Sequence, residues 1–292
     1  MAKRAKRQMK KPANTIVYAS IQAGAVVTVP RVATSAKSPD GRSRVTRRRK
    51  EWRFSDRNAK LGPNILSFSI APKVSCPGAS ATCTEMAPDG KAAPKPRCYG
   101  FRGRFARSSF RRCYQRHWDV SKSPEFPGEI IESLLRRQDR LLAFRIHDLG
   151  DFYSVDYIEA WIRIVRTCRA ISFFAYTRSW VCPDLWPKLR ELAAEPNMVL
   201  FLSLDRSMME IPIPPGGNDL PWAYLAVDDS DIPSRPVDVV FRYDWRKLPP
   251  LDDPNHFGSK VCPHEDGRTK TTCSRCKFCW RWAKAVHGPV GS

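Results

Sequence analysis

The chain has no long apolar run. No stretch reaches the roughly 18 consecutive apolar residues that a membrane-spanning helix needs, so an integral helical membrane protein is excluded. No sequence period repeats, which excludes a solenoid, a collagen or a coiled coil. Glycine is scarce beside proline, 15 against 25, which favours long ordered connections between elements. Acids are nearly missing at the start. Residues 1–60 hold 17 Lys and Arg against 3 acids (Asp40, Glu51 and Asp56), a net of +14, whereas the other 232 residues hold 33 against 26, a net of +7. The apolar stretch Ile16–Pro30 follows this basic start as a signal peptide would. Gln22 and several Ser and Thr residues dilute it, and no clean small-residue cleavage site comes after it, so export is not expected and the protein is expected in the cytoplasm.

What is present suffices for a folded body. The chain has 292 residues, 42% hydrophobic and 11% aromatic, richer in both than a disordered chain. Residues 1–60 are expected to form a basic, disordered arm with Arg47-Arg48-Arg49-Lys50 at its densest point. Such an arm either binds a polyanion, of which nucleic acid is the foremost candidate, or serves as a solvated tail.

Regular structure is expected from Asn64. Ile65–Ile70 alternates as a strand does. An Arg-rich helix is expected over about Arg104–Trp118, with Phe110, Tyr114 and Trp118 facing the core and Arg112 and Arg116 opposite. Helix Glu129–Arg137 and strand Leu141–Ile146 follow. Ser154 caps a helix carrying Ile158, Trp161, Ile162 and Val165. Strand Ile171–Tyr176 leads to a helix expected to be capped by Asp184, with Leu185, Leu189 and Leu192 on one face. Met198–Leu202, Trp222–Val227 and the region of Val237–Phe241 read as strands. Continuous apolar strands alternating with amphipathic helices predict an α/β fold, an open parallel sheet or partial (β/α) barrel over residues 61–250. Residues 251–292 are expected to be a cysteine-rich appendage.

On such a sheet the functional groups gather at the C-terminal ends of the strands. Those positions here are Cys76, His147 to Ser154, Thr177 to Trp180, Asp205 to Ser207, and Asp228 to Asp231. His147, Arg178 and Asp205 are the candidate catalytic residues.

The ten cysteines are grouped rather than spread, which suits metal sites more than a disulfide scaffold. Cys76, Cys83 and Cys98 occupy one loop. Three thiolates can hold three irons of a [4Fe–4S] cube and leave the fourth open. Cys262, Cys273, Cys276 and Cys279 end in the dense Cys-x2-Cys-x2-Cys spacing of ferredoxin-type cubes, with zinc as the alternative.

The chain resembles the phage-borne gene product 88 domain family across roughly residues 60–282. The resemblance is carried by Ser75-Cys76-Pro77, Cys98-Tyr99-Gly100, Arg145-Ile146-His147, Gly150-Asp151-Phe152-Tyr153-Ser154, Tyr176-Thr177-Arg178-Ser179 and Cys276-x2-Cys279-Trp280. The strand, three-cysteine loop and strand-two Gly-acid pair also resemble the radical S-adenosylmethionine (SAM) architecture. That likeness implies a [4Fe–4S] cluster at Cys76, Cys83 and Cys98, SAM on its open iron, and Gly150 and Asp151 holding the SAM amino group. Here Asp stands where that architecture usually has Glu, and the cysteine spacing differs from its usual loop.

Together these features point to an iron–sulfur enzyme of phage or mobile-element origin acting on nucleic acid or a nucleotide. A non-enzymatic nucleic-acid-binding protein with zinc sites is the alternative, and a zinc-dependent nuclease or hydrolase using rim carboxylates is a third reading.

Overall fold

The structure is a computed structural model. It describes residues 52–84, 97–253 and 255–282, apart from Arg53, Arg57 and Arg102, together with two short strands nearer the N-terminus. Those strands, β1 (Ile16–Ala19) and β2 (Val26–Val29), pair antiparallel within the apolar stretch Ile16–Pro30. The rest of the expected arm up to Glu51, including Arg47–Lys50, lies outside the described residues, as does the middle of the first cysteine loop, residues 85–96.

Residues Trp52–Ser292 form one compact unit. Its framework is a six-stranded parallel sheet in the order β3-β4-β5-β6-β7-β8. The strands are β3 (Ile65–Phe68), β4 (Ala143–Ile146), β5 (Ser172–Thr177), β6 (Met198–Asp205), β7 (Trp222–Ala226) and β8 (Val239–Arg242). Spatial order equals chain order, so every crossover advances the sheet in the same direction, and the result is an open, curled half-barrel.

One face of the sheet is covered by helices. These are α3 (Phe126–Leu135), α4 (Val155–Thr167) and α5 (Trp186–Ala194), preceded by α1 (Ala81–Thr84) and α2 (Ser108–Val120). Phe68, Phe126, Phe144, Tyr157, Trp161 and Phe173 interlock beneath them, all fully or almost fully buried. Burying a side chain of this size contributes about 1.5–3 kcal/mol, so this layer anchors the first half of the sheet. Ser154 caps α4 as expected, its Oγ accepting from the Tyr157 amide at 3.2 Å. Asp184 does not cap α5. That helix starts after Leu185, and its Pro187 fixes the first turn without a side-chain cap.

Two expectations about the edges of this unit change. Residues 52–60 belong to the body rather than the arm, because Trp52 packs its ring on Phe68, Phe126 and His117 at 5.7, 5.6 and 5.4 Å. On α2 the fully buried side chain is His117. Trp118 packs partly on the core, whereas Phe110 and Tyr114 remain half-buried beside Phe105.

The opposite, inner face of the sheet is covered by the cysteine-rich C-terminal segment. Strand alternation sends Ala143, Phe174, Val199, Phe201, Ala223 and Val239 to this face. There they meet Cys262, Cys273, Phe278, Cys279, Trp280 and Trp282. The segment is tied to both edges of the sheet. At one edge the Val240 amide donates to the Lys260 carbonyl and the Cys262 amide to the Val240 carbonyl, both at 2.9 Å. At the other edge the Cys273 and Ser274 amides donate to the carbonyls of Lys60 (2.8 Å) and Leu61 (2.9 Å).

Candidate functional site

The rim expected from the sequence exists at the C-terminal end of the sheet, and Arg178 and Asp205 meet there. Arg178 follows β5 and Asp205 closes β6, and both continue the inner-face alternation of their strands. The Arg178 guanidinium donates to Asp205 Oδ2, to Ser80 Oγ and, at 3.2 Å, to the Cys83 Sγ. Asp205 is fully buried and also accepts from Thr82 Oγ1 at 3.0 Å and from the Ser207 amide and hydroxyl at 3.0 and 2.6 Å. Burial pushes the Asp205 carboxyl up, but the Arg178 charge and these hydroxyl donors outweigh it, leaving the pKa below the ordinary value. Buried Arg178 stays charged, because the loss of hydration is outweighed by Cys83 and Asp205.

The first cysteine loop seats itself on this rim. A Cβ at Gly78 would lie 2.0 Å from the Arg178 carbonyl oxygen, so only glycine permits the approach. Cys76 and Cys98 interact electrostatically with each other, and Cys98 with Cys83, which brings the three thiols of the loop into one neighbourhood. Burial pushes the Cys76 thiol up to about 12, with Asp151 adding to the effect. Burial raises the Cys98 thiol too, Cys83 adding to the effect while the Gly100 amide and Arg178 oppose it.

Asp151 is placed as a brace. Its Oδ1 accepts from the Phe152 amide and Thr177 Oγ1, and its Oδ2 from the Arg178 amide, all at 2.7 Å. It is 5% exposed, and three of about four acceptor directions of the carboxylate are taken. Gly150 turns the chain into this position with φ of 85°, and a Cβ there would strike Ile70 at 2.3 Å. These hydrogen bonds set Arg178 in place and leave one acceptor direction open. Gly150 and Asp151 are thus tied into the fold at the rim.

His147 does not join Arg178 and Asp205. Alternation would put it on the inner face with Ala143 and Arg145. Its φ of 65° ends the strand instead, and the ring turns to the helix side, against Phe152, Tyr157 and Trp161. Its Nε2 lies 2.8 Å from the Tyr157 hydroxyl, and burial, helped by Arg145, lowers its pKa to about 3. It is a neutral core histidine.

The second cysteine set converges. Cys262, Cys273, Cys276 and Cys279 all line one shallow depression open to solvent, together with Val239, Phe278 and Trp280. The turn that carries Cys273 and Cys276, α6 (Cys273–Cys276), ends at Lys277 with φ of 63°, which redirects the chain so that Cys279 faces the same space. Burial pushes the thiols of Cys262 and Cys279 up to about 12. It raises Cys273 as well. Tyr176 of β5 hydrogen-bonds Cys279 and favours its thiolate. Lys60, ion-paired with Glu265, does the same for Cys262 and Cys273. Sequence reasoning missed both Lys60 and Tyr176. The Tyr176-Thr177-Arg178 run was visible, but nothing in it tells which strand face meets the C-terminal cysteines. Among the described residues, no group of three or more His, Cys, Asp or Glu side chains is arranged to hold a metal ion as it stands.

Comparison with known proteins places the chain. The family model described as Gene product 88 matches residues 41–282. The chain is similar to the Gene 88 protein of Mycobacterium phage D29, 23% identical over 246 residues that cover 78% of this chain and 88% of the relative. It is also similar to the Gene 88 protein of Mycobacterium phage L5, 28% identical over 131 residues, covering 41% and 50% respectively. No solved structure matches it. The matched residues run from the end of the basic segment through the last cysteine of the second set and take in the whole sheet, so the chain belongs to the gene product 88 family.

Proposed function

We propose that this member of the family is an iron–sulfur protein that acts on nucleic acid, with one centre held by Cys262, Cys273, Cys276 and Cys279. The observation that carries the reading is the convergence of those four cysteines. The four cysteines face one depression, and the Cys-x2-Cys-x2-Cys spacing suits a cube. A cluster there would need the thiols deprotonated, and Tyr176 and Lys60 are placed to favour the charged sulfurs. When bound, such a group supplies one-electron chemistry or structural cross-linking.

Cys76, Cys83 and Cys98 form the candidate second centre, at the rim. Arg178 holds Cys83 and Cys98 in a cationic field, with Asp205 and Asp151 fixing the arginine. A substrate would meet the protein at this rim, where buried polar groups converge. Nucleic acid as partner is supported by the charge of +21 and its concentration near the N-terminus.

Metal and sulfide analysis of protein purified without air tests the centre. One cube gives about four irons and four sulfides per chain, and two give about eight. Stoichiometric zinc without iron would instead support the alternative of a zinc-containing nucleic-acid-binding protein.

A further inference from the structure

Helix α2 is built against its own electrostatics. Arg107 stands at its N-cap without a side-chain cap, no acid occupies its first turn, and Arg111 and Arg112 lie in the turn that follows. Cations there face the positive end of the helix dipole. Arg107 and Arg111, and Arg112 and Arg116, are also like-charged i,i+4 pairs, which repel. Arg107, Arg111 and Arg112 are exposed and Arg116 is half-buried. None of the four makes a side-chain hydrogen bond or ion pair among the described residues. The acid on this helix, Asp119, accepts from Gln115 at 3.0 Å instead. Beside Arg107 and Arg111, Phe105, Phe110 and Tyr114 form a half-buried ring cluster with centroids 6.1–6.3 Å apart. The helix is joined to the rim, since His117 Nδ1 lies 2.9 Å from the Ser69 carbonyl oxygen, just beyond β3.

We infer that the exposed face of α2 is a docking surface for single-stranded nucleic acid, with Arg107, Arg111 and Arg112 on the phosphates and the Phe105–Phe110–Tyr114 edge, next to Arg107 and Arg111, against the bases. A polyanion relieves every unfavourable term named above at once. Neither a second copy of the chain nor its own basic segment can do so, because both carry positive charge. The half-exposed rings select a single strand, whose unpaired bases can stack on them. The surface deepens the nucleic-acid reading above and is independent of which metal the cysteines take.

The test uses the full chain and a fluorescent single-stranded oligonucleotide, titrated at several salt concentrations. The triple variant Arg107→Gln/Arg111→Gln/Arg112→Gln should bind at least tenfold more weakly. Its slope of log K against log salt should flatten by about 2, from roughly 0.7 per lost contact. It should melt no lower than the parent, because the repulsion is gone. Tyr114→Leu should lose about tenfold in affinity with the slope unchanged. If the triple variant binds like the parent while deletion of residues 1–51 removes binding, nucleic acid remains the partner and the surface on α2 is wrong. If the parent itself binds no oligonucleotide, both readings fall. Equal sensitivity of duplex and single strand to both variants would overturn the single-strand assignment.

Discussion

The two cysteine regions use the same residue type under opposite constraints. The first leaves the end of β3 and is held at the rim by side chains: Ser80, Thr82 and Cys83 gather round Arg178 and Asp205. The second is held by backbone hydrogen bonds to both edges of the sheet and fills its inner face. Side-chain anchorage can be rearranged by a ligand more readily than backbone bonds to β8 and to the turn before β3. The rim is thus suited to reaction, and the inner-face segment to holding the fold together.

The sharpest way to break this comparison is to remove one thiol from each region. Cys279→Ser should lower both metal content and stability, shifting the melting temperature down by several degrees or more. Cys98→Ser should lower metal content and any activity while leaving the melting temperature near that of the parent. Calorimetry alongside metal analysis reads both, and equal melting losses would erase the distinction.

A large effect is also expected from Asp205→Ala, which leaves the buried Arg178 charge without its carboxylate. Breaking a buried pair from one side costs about 3–5 kcal/mol, measurable by urea denaturation. Lys60→Met, on the inner face, should cost less, because Lys60 and Glu265 keep some exposure, with side chains 23% and 10% accessible. If Lys60→Met proved the more damaging, the inner-face pair rather than the rim pair would carry more of the stability.

Gly78→Ala probes the seat of the first loop. The clash with the Arg178 carbonyl should cost about 1–3 kcal/mol and disturb Cys76 and Cys83 before it disturbs the C-terminal set. Metal retention at each set, followed by spectroscopy, would show the order.

The most gradual effects concern pH. His147 and His117 have folded pKa values of about 3 and 4, each lowered mainly by burial, below the ordinary 6.5. Their contribution is complete above pH 6.5 and is lost as pH falls through these folded values, because the unfolded chain takes up the protons first. The buried thiols act in the reverse sense. Cys76, Cys262 and Cys279 are raised from 9.0 to about 12, so metal-free protein should lose stability as pH rises from 9 toward 12. Metal uptake should release protons, detectable in weakly buffered solution.

The sheet could be read from the sequence because both of its faces are covered, which makes β4 to β7 nearly continuous in apolar residues. Ser154 could be read because a cap is a local device. What escaped the sequence was set at long range or by a single dihedral angle. His147 sits in phase with Ala143 and Arg145 until its positive φ turns it to the other face. His117 is one residue off the Phe110, Tyr114, Trp118 stripe. Its fourfold spacing from Cys113, whose Sγ lies 3.7 Å from His117 Nε2, was the signal that could have shown it. The expected appendage proved to be the cover of the inner face because its partners, Lys60 and Leu61, lie about two hundred positions earlier, as the separation of 205 between Lys60 and Glu265 shows.

That separation has a consequence for synthesis. Strands β3 to β8 leave the ribosome before the C-terminal residues that cover Phe201 and Val239, so the growing chain carries a largely bare apolar concavity until Cys262 to Trp282 emerge. The nascent sheet is therefore most exposed to aggregation and to chaperone capture at this late stage, and a stop codon falling just before Cys262 should yield insoluble product even though every strand has been made.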